Sequence, residues 1–321
     1  TRPLPTIASA GPNQTVCVTA GTALLAGNVP VNGIGRWIKV SGPGTITNSL
    51  VANTTITGLT VGTTVLTWSI SNPPCTSSTA NMTITIRPAP TISNAGPSQT
   101  ICVTTGFATL AGNVVVTGTG LWVKVSGSGT ITNPLIRNTT VTGLTPGLTV
   151  LTWSISNPPC ASSVSNMTIT TRALPSIAAA GPDQTVCVSS TATMAANTPT
   201  AGTGQWILIG GSGTIVSPNS PTSLITGLGV GNNTFRWRIT NPPCTQSQDN
   251  MIIVGRAVPS IANAGTDKTL CATSTSTPMN ATAATAGIGR WIKISGSGVI
   301  TNSLSPTTNI TGLTIGTIVF T

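Results

Sequence analysis

Histidine, tyrosine and glutamate are absent from this 321-residue chain, and aspartate occurs only at Asp183, Asp249 and Asp267. General acid–base catalysis and activated nucleophiles depend on such side chains, so the sequence holds almost no material for an enzyme. A Ser/Lys pair can be drawn at Lys39 and Ser41, but it recurs as Lys124 with Ser126 and Lys293 with Ser295, which fits an exposed strand better. Calcium requires clustered oxygen ligands, usually several carboxylates. Asp183 and Asp267 stand singly where earlier parts of the chain carry Asn13 and Ser98. Neither a catalytic residue, a metal ligand nor a cofactor is expected.

Charge is also scarce, at 5% of residues against roughly 25% in an ordinary domain. The net charge of +10 reflects missing acids as much as abundant bases. Its thirteen cations are scattered, with no run beyond the alternation Arg236-Trp237-Arg238, so a nucleic-acid partner is not expected. Polar residues break every apolar stretch well before about 18 residues, which argues against a membrane span. The segment at Thr1 has no charged n-region followed by an apolar run, so no targeting signal is visible, and the chain reads as an internal or processed segment.

What is present is a repeat of about 85 residues. Arg2-Pro3-Leu4-Pro5-Thr6-Ile7 returns as Arg87-Pro88-Ala89-Pro90-Thr91-Ile92, then as Arg172-Ala173-Leu174-Pro175-Ser176-Ile177 and Arg256-Ala257-Val258-Pro259-Ser260-Ile261. The period is longer than that of solenoids and propellers, so each repeat can enclose its own core. The expected domains are residues 1–86, 87–171, 172–255 and 256–321, the fourth lacking its final strands because Thr321 aligns with Thr67 and Thr152.

Thr, Val and Ile punctuated by Gly, Pro and Asn favour short strands joined by turns. Seven strand candidates in the first repeat predict an all-β sandwich of the immunoglobulin-like type. Val65-Leu66-Thr67-Trp68-Ser69-Ile70 alternates clearly, with Leu66, Trp68 and Ile70 on one face. Trp37, Trp122, Trp206 and Trp291 recur in register, as do Trp68, Trp153 and Trp237. Such tryptophans could stack on sugar rings, but recurrence at fixed sandwich positions predicts core residues.

Seven cysteines stand at 17, 75, 102, 160, 187, 244 and 271. The spacing lacks the close pairs of a zinc site, and structural disulfides in an oxidising compartment are expected. One scheme closes each repeat on itself, pairing Cys17 with Cys75, Cys102 with Cys160 and Cys187 with Cys244. It leaves Cys271, whose partner would fall near position 329. A second scheme joins Cys75 to Cys102, Cys160 to Cys187 and Cys244 to Cys271 across the junctions. Spacing alone does not fix connectivity, and the within-repeat scheme is the one expected.

The run Ala10-Gly11-Pro12-Asn13-Gln14-Thr15-Val16-Cys17 is followed by Leu25-Ala26-Gly27-Asn28, Gly35-Arg36-Trp37, Ser41-Gly42-Pro43-Gly44 and Gly58-Leu59-Thr60-Val61-Gly62. Together with Trp68-Ser69-Ile70-Ser71-Asn72-Pro73-Pro74-Cys75, these motifs resemble the PKD-like, immunoglobulin-like repeats of large Bacteroidetes surface proteins, among them gliding-motility adhesins. The resemblance implies export to the cell surface and a place in an extracellular array. The shortage of Asp, Glu and Tyr departs from many relatives and argues against calcium-stiffened linkers. The expected role is therefore structural and adhesive: a stalk or filament that spaces or mediates attachment. Its expected partners are copies of itself, surface glycans or other surface proteins. A carbohydrate-binding array and an accessory region of a secreted enzyme are the alternatives.

Overall fold

Strand-forming sequence dominates, and strands are what the chain builds. The computed structural model describes all residues, Thr1–Thr321, and contains no helix. Two compact units divide it, Thr1–Ala173 and Leu174–Thr321, each holding two successive repeats.

The first repeat contains β1 (Gln14–Cys17), β2 (Thr22–Ala26), β3 (Ile34–Ser41), β4 (Thr45–Ile46), β5 (Asn53–Thr57), β6 (Gly62–Ser71) and β7 (Ser78–Arg87). They form two sheets, of order β1-β7-β6-β3 and β2-β5-β4. All neighbours are antiparallel except β1 and β7, which run parallel. The same two-sheet arrangement recurs in the second and third repeats. In the fourth, five short strands between Ser276 and Phe320 form a three-stranded and a two-stranded sheet.

Alternation explains which side of each strand faces the core. Along β6, Leu66, Trp68 and Ile70 are fully buried, while Val65, Thr67 and Ser69 are half-buried on the outer face. Leu25 and Ile56 supply the opposing sheet, and Met82 and Ile84 extend the layer along β7. Fully burying side chains of this size contributes about 1.5–3 kcal/mol each, which offsets the entropy of ordering a chain so rich in glycine.

At the centre, Trp37 on β3 lies opposite Trp68 on β6, with ring centroids 5.1 Å apart and planes tilted by 44°. Trp122–Trp153 and Trp206–Trp237 repeat the pair at the same 5.1 Å. All seven tryptophans are buried, Trp291 included. Glycine two residues before the first tryptophan makes room for the second ring. A Cβ on Gly35, Gly120 or Gly204 would overlap the indole of Trp68, Trp153 or Trp237.

Candidate functional site at the repeat junction

Each repeat opens with a short proline-containing segment, and side chains from the body of the repeat hydrogen-bond to its backbone. At its near side, β7 ends at Arg87, whose Cα partner on β1 is Cys17. The Val18 N–H then donates to the Arg87 carbonyl at 2.9 Å. The first-strand cysteine is thus held beside the start of the linker.

On the far side, the linker is pinned to the body of the second repeat. The Thr91 hydroxyl accepts from the N–H groups of Val116 and Thr117 at 3.0 and 2.8 Å, and the Thr91 N–H donates to the Thr117 carbonyl. Asn113 Oδ1 accepts from the Asn94 N–H, and its Nδ2 donates to the Ile92 carbonyl. Asn157 Nδ2 donates to the Pro88 carbonyl at 2.8 Å. Thr6, Asn28 and Asn72 make the equivalent bonds in the first repeat, and Ser176 and Asn197 repeat the clamp in the third. Unpaired backbone groups are costly, so these side chains make an otherwise irregular segment part of the domain that follows it.

Into this junction comes Cys160, in the Pro158-Pro159-Cys160 loop of the second repeat. Its sulfur lies 3.3 Å from the Pro88 carbonyl oxygen and 3.7 Å from that of Arg87. There it meets Cys17: the two form a disulfide with Cα atoms 4.9 Å apart and a sequence separation of 143. Cys102 and Cys244 are also disulfide-bonded, whereas Cys75, Cys187 and Cys271 are free thiols.

This corrects the expected pairing of Cys17 with Cys75, Cys102 with Cys160 and Cys187 with Cys244. The physical reason is the length of β7. Cys17 sits at one end of this ten-residue strand, while Cys75 occupies the turn before its other end. At about 3.3 Å per residue the two are about 30 Å apart, far beyond the 7 Å that a disulfide spans. Cys160 is taken by Cys17 and Cys187 is free, so the other two pairs fall with the first. The junction scheme fails as well, since Cys75 and Cys271 are free. Cys271 is therefore one of three unpaired thiols rather than a single leftover.

The remaining polar positions do structural work. Lys39 Nζ donates to the Gly44 carbonyl at 2.7 Å, and Lys124 and Lys293 bond Gly129 and Gly298 in the same way, closing hairpin turns. Asn13 Oδ1, Ser98 Oγ and Asp183 Oδ1 each accept one backbone N–H, from Thr83, Thr168 and Ile252. One acceptor suffices there, which is why amide, hydroxyl and carboxylate interchange. No group of three or more His, Cys, Asp or Glu converges.

Outward from the core, β3 presents an apolar row on a sheet edge. Ile38 and Val40 are exposed, as are Val123 and Val125, Ile209, and Ile292 and Ile294. The register slips between Lys39 and Ser41, and the same slip recurs at Lys124/Ser126, Leu208/Gly210 and Lys293/Ser295. Each slip places a β-bulge at an exposed aliphatic residue: Val40, Val125, Ile209 or Ile294. Neither this row nor the Thr91 and Asn113 clamp was singled out from the sequence. Their recurrence at the repeat period was the available signal. Two grooves of about 420 and 680 Å³ flank Trp291 and Cys271 in the fourth repeat.

No protein-family model and no curated protein sequence matches this chain. Among solved structures, three consecutive immunoglobulin domains of the titin I-band are 14% identical and superpose with a TM-score of 0.50, over 80% of this chain and 100% of theirs. Sidekick-1 immunoglobulin domains 1–5 are 13% identical, cover 97% of this chain with 75% of their own, and reach 0.40. The PKD domain from KIAA 1837 protein is 25% identical over 25% of this chain and 85% of its own, at 0.23. The titin superposition shows a tandem immunoglobulin-like β-sandwich fold.

Proposed function

We propose that the chain is a non-enzymatic, structural and adhesive array on the outside of a bacterial cell, working through the same weak surface presented once per repeat. The observation that carries this reading is the bulged aliphatic row on β3, which recurs at Val40, Val125, Ile209 and Ile294. Exposed aliphatic side chains at one position of every domain serve no core. Linked weak contacts reinforce one another, so four such rows bind far more tightly than one. A bulge interrupts the ladder and bends the edge, which disfavours strand-to-strand pairing there. Contact with a second copy of the chain, or with another surface protein, therefore runs through side chains.

Support for an extracellular setting comes from the disulfides, which persist in oxidising compartments. The PKD-like and immunoglobulin-like resemblance of the sequence adds the surface-adhesin context. The carbohydrate reading loses its residues, because the tryptophans that would have stacked on sugars are buried in the core.

Beads coated with the full chain test this against glass coated with the same chain, with unrelated protein or with glycan. Changing Val40, Val125, Ile209 and Ile294 to Asp, one to four at a time, is expected to reduce attachment more steeply than in proportion to the number changed. Undiminished attachment of the fourfold variant contradicts the proposal, and attachment to glycan alone restores the carbohydrate alternative.

A further inference from the structure

The disulfide between Cys17 and Cys160 connects two different repeats, and its position defines a rule. The first member ends the first strand of one repeat, beside the residue where that repeat's last strand ends, Arg87. The second member is the loop cysteine of the following repeat, resting on the carbonyls of Arg87 and Pro88. Both ingredients recur. Cys102 is the Cα partner of Arg172, and Cys187 that of Arg256. Cys75 sits 3.9 and 3.8 Å from the carbonyl oxygens of Arg2 and Pro3, as Cys160 sits against Arg87 and Pro88. The oxidation states agree with the rule, since Cys102 is a first-strand cysteine, Cys244 a loop cysteine, and both are disulfide-bonded. For the free thiols Cys75, Cys187 and Cys271, the partner positions fall outside residues 1–321.

We propose that the cystine from the first strand of one repeat to the Pro-Pro-Cys loop of the following one is a tension-bearing link, so that the joined repeats carry a pull without the residues between the two cysteines unravelling. A pull on Thr1 reaches Cys17 after one short segment and passes through the disulfide to Cys160. The residues between them form a closed loop outside the line of force. A fully unfolded first repeat could lengthen the chain only by the short segment before Cys17. A loop of 143 residues, extended at about 3.5 Å per residue, withholds about 500 Å of contour. From Cys160, 27 residues lead to Cys187, the first-strand cysteine of the third repeat. A cystine closed within one repeat would protect that repeat alone and leave the junction to the backbone.

The inference does not depend on what the array binds, and its test reads length rather than attachment. Full chains held at Thr1 and Thr321 are stretched singly, with and without reductant. One variant retains only Cys17 and Cys160, with Ser at the other five cysteines; a second retains only Cys17 and Cys75. The first is expected to gain about 500 Å of final length on reduction, and the second to gain nothing. A gain of about 200 Å by the second variant, the span of its 58-residue separation, overturns the proposal. So does an unchanged length in the first. In the unsubstituted chain, blocking of Cys75 but neither Cys17 nor Cys160 by a thiol reagent before reduction is the expected result should either variant misfold, and blocking of Cys17 overturns the proposal.

Discussion

Trp37 and Trp68 face each other across β3 and β6 with ring centroids 5.1 Å apart, and the space for that pair is left by Gly35. Replacing Gly35 with Ala drives a methyl group into the Trp68 indole, a form of overpacking that destabilises by about 1–3 kcal/mol. Gly289 holds the same place before Trp291, but nothing lies within 4 Å of its Cβ position. Calorimetric unfolding of the full chain is expected to show a lowered transition for Gly35→Ala. For Gly289→Ala it should show a change within about 0.5 kcal/mol.

The Thr91 hydroxyl accepts two backbone N–H groups and so binds the linker to the second repeat. Thr91→Val removes the acceptor at nearly constant shape, and a loss of about 1–2 kcal/mol is expected. Amide hydrogen exchange should quicken at Val116 and Thr117 while β6 remains protected. Thr91→Ser should behave as the parent does, since Ser176 makes the same two bonds to Thr200 and Ala201 in the third repeat.

Much of this fold was legible because its signals are local. The alternation of Leu66, Trp68 and Ile70 gave the strand and its buried face, and the tryptophans, read as core, are in the core. The cysteine pairing was not legible, because spacing along a chain measures contour and not direction. Cys17 and Cys75 are the nearer pair in sequence, yet β7 runs its full length between them, and the folded partner lies 143 residues away. The bulge at Val40 escaped for a related reason. The pattern Trp37-Ile38-Lys39-Val40 reads as plain alternation, and only pairing with Leu66 and Val65 reveals the extra residue.

Asp183 acts as an acceptor for the Ile252 N–H at 2.8 Å, the role that Asn13 fills toward Thr83 in the first repeat. Asp183→Asn should therefore preserve stability to within about 0.5 kcal/mol, whereas Asp183→Ala should lose about 1 kcal/mol with the bond. Chelation by EDTA, or addition of calcium, is expected to leave the unfolding temperature unchanged. A rise of several degrees with calcium would show that the carboxylate serves a metal.

Closing a loop of 143 residues restrains the unfolded chain by about 5 kcal/mol in the chain-entropy account. Cys17→Ser and Cys160→Ser should consequently lower the stability of the Thr1–Ala173 unit by similar amounts, and the double variant by no more than either alone. Cys75→Ser should change little. Thermal unfolding of the three single variants and the double variant checks all four expectations.

The central claim, a covalent link from one repeat to the next, is tested most directly by mapping the disulfides of the unreduced full chain. Cleavage after Arg and Lys, blocked before proline, leaves Cys17 in Thr1–Arg36, Cys160 in Asn138–Arg172 and Cys75 in Val40–Lys124. Mass spectrometry is expected to find Thr1–Arg36 linked to Asn138–Arg172. Thr1–Arg36 linked to Val40–Lys124 through Cys75 would contradict the account.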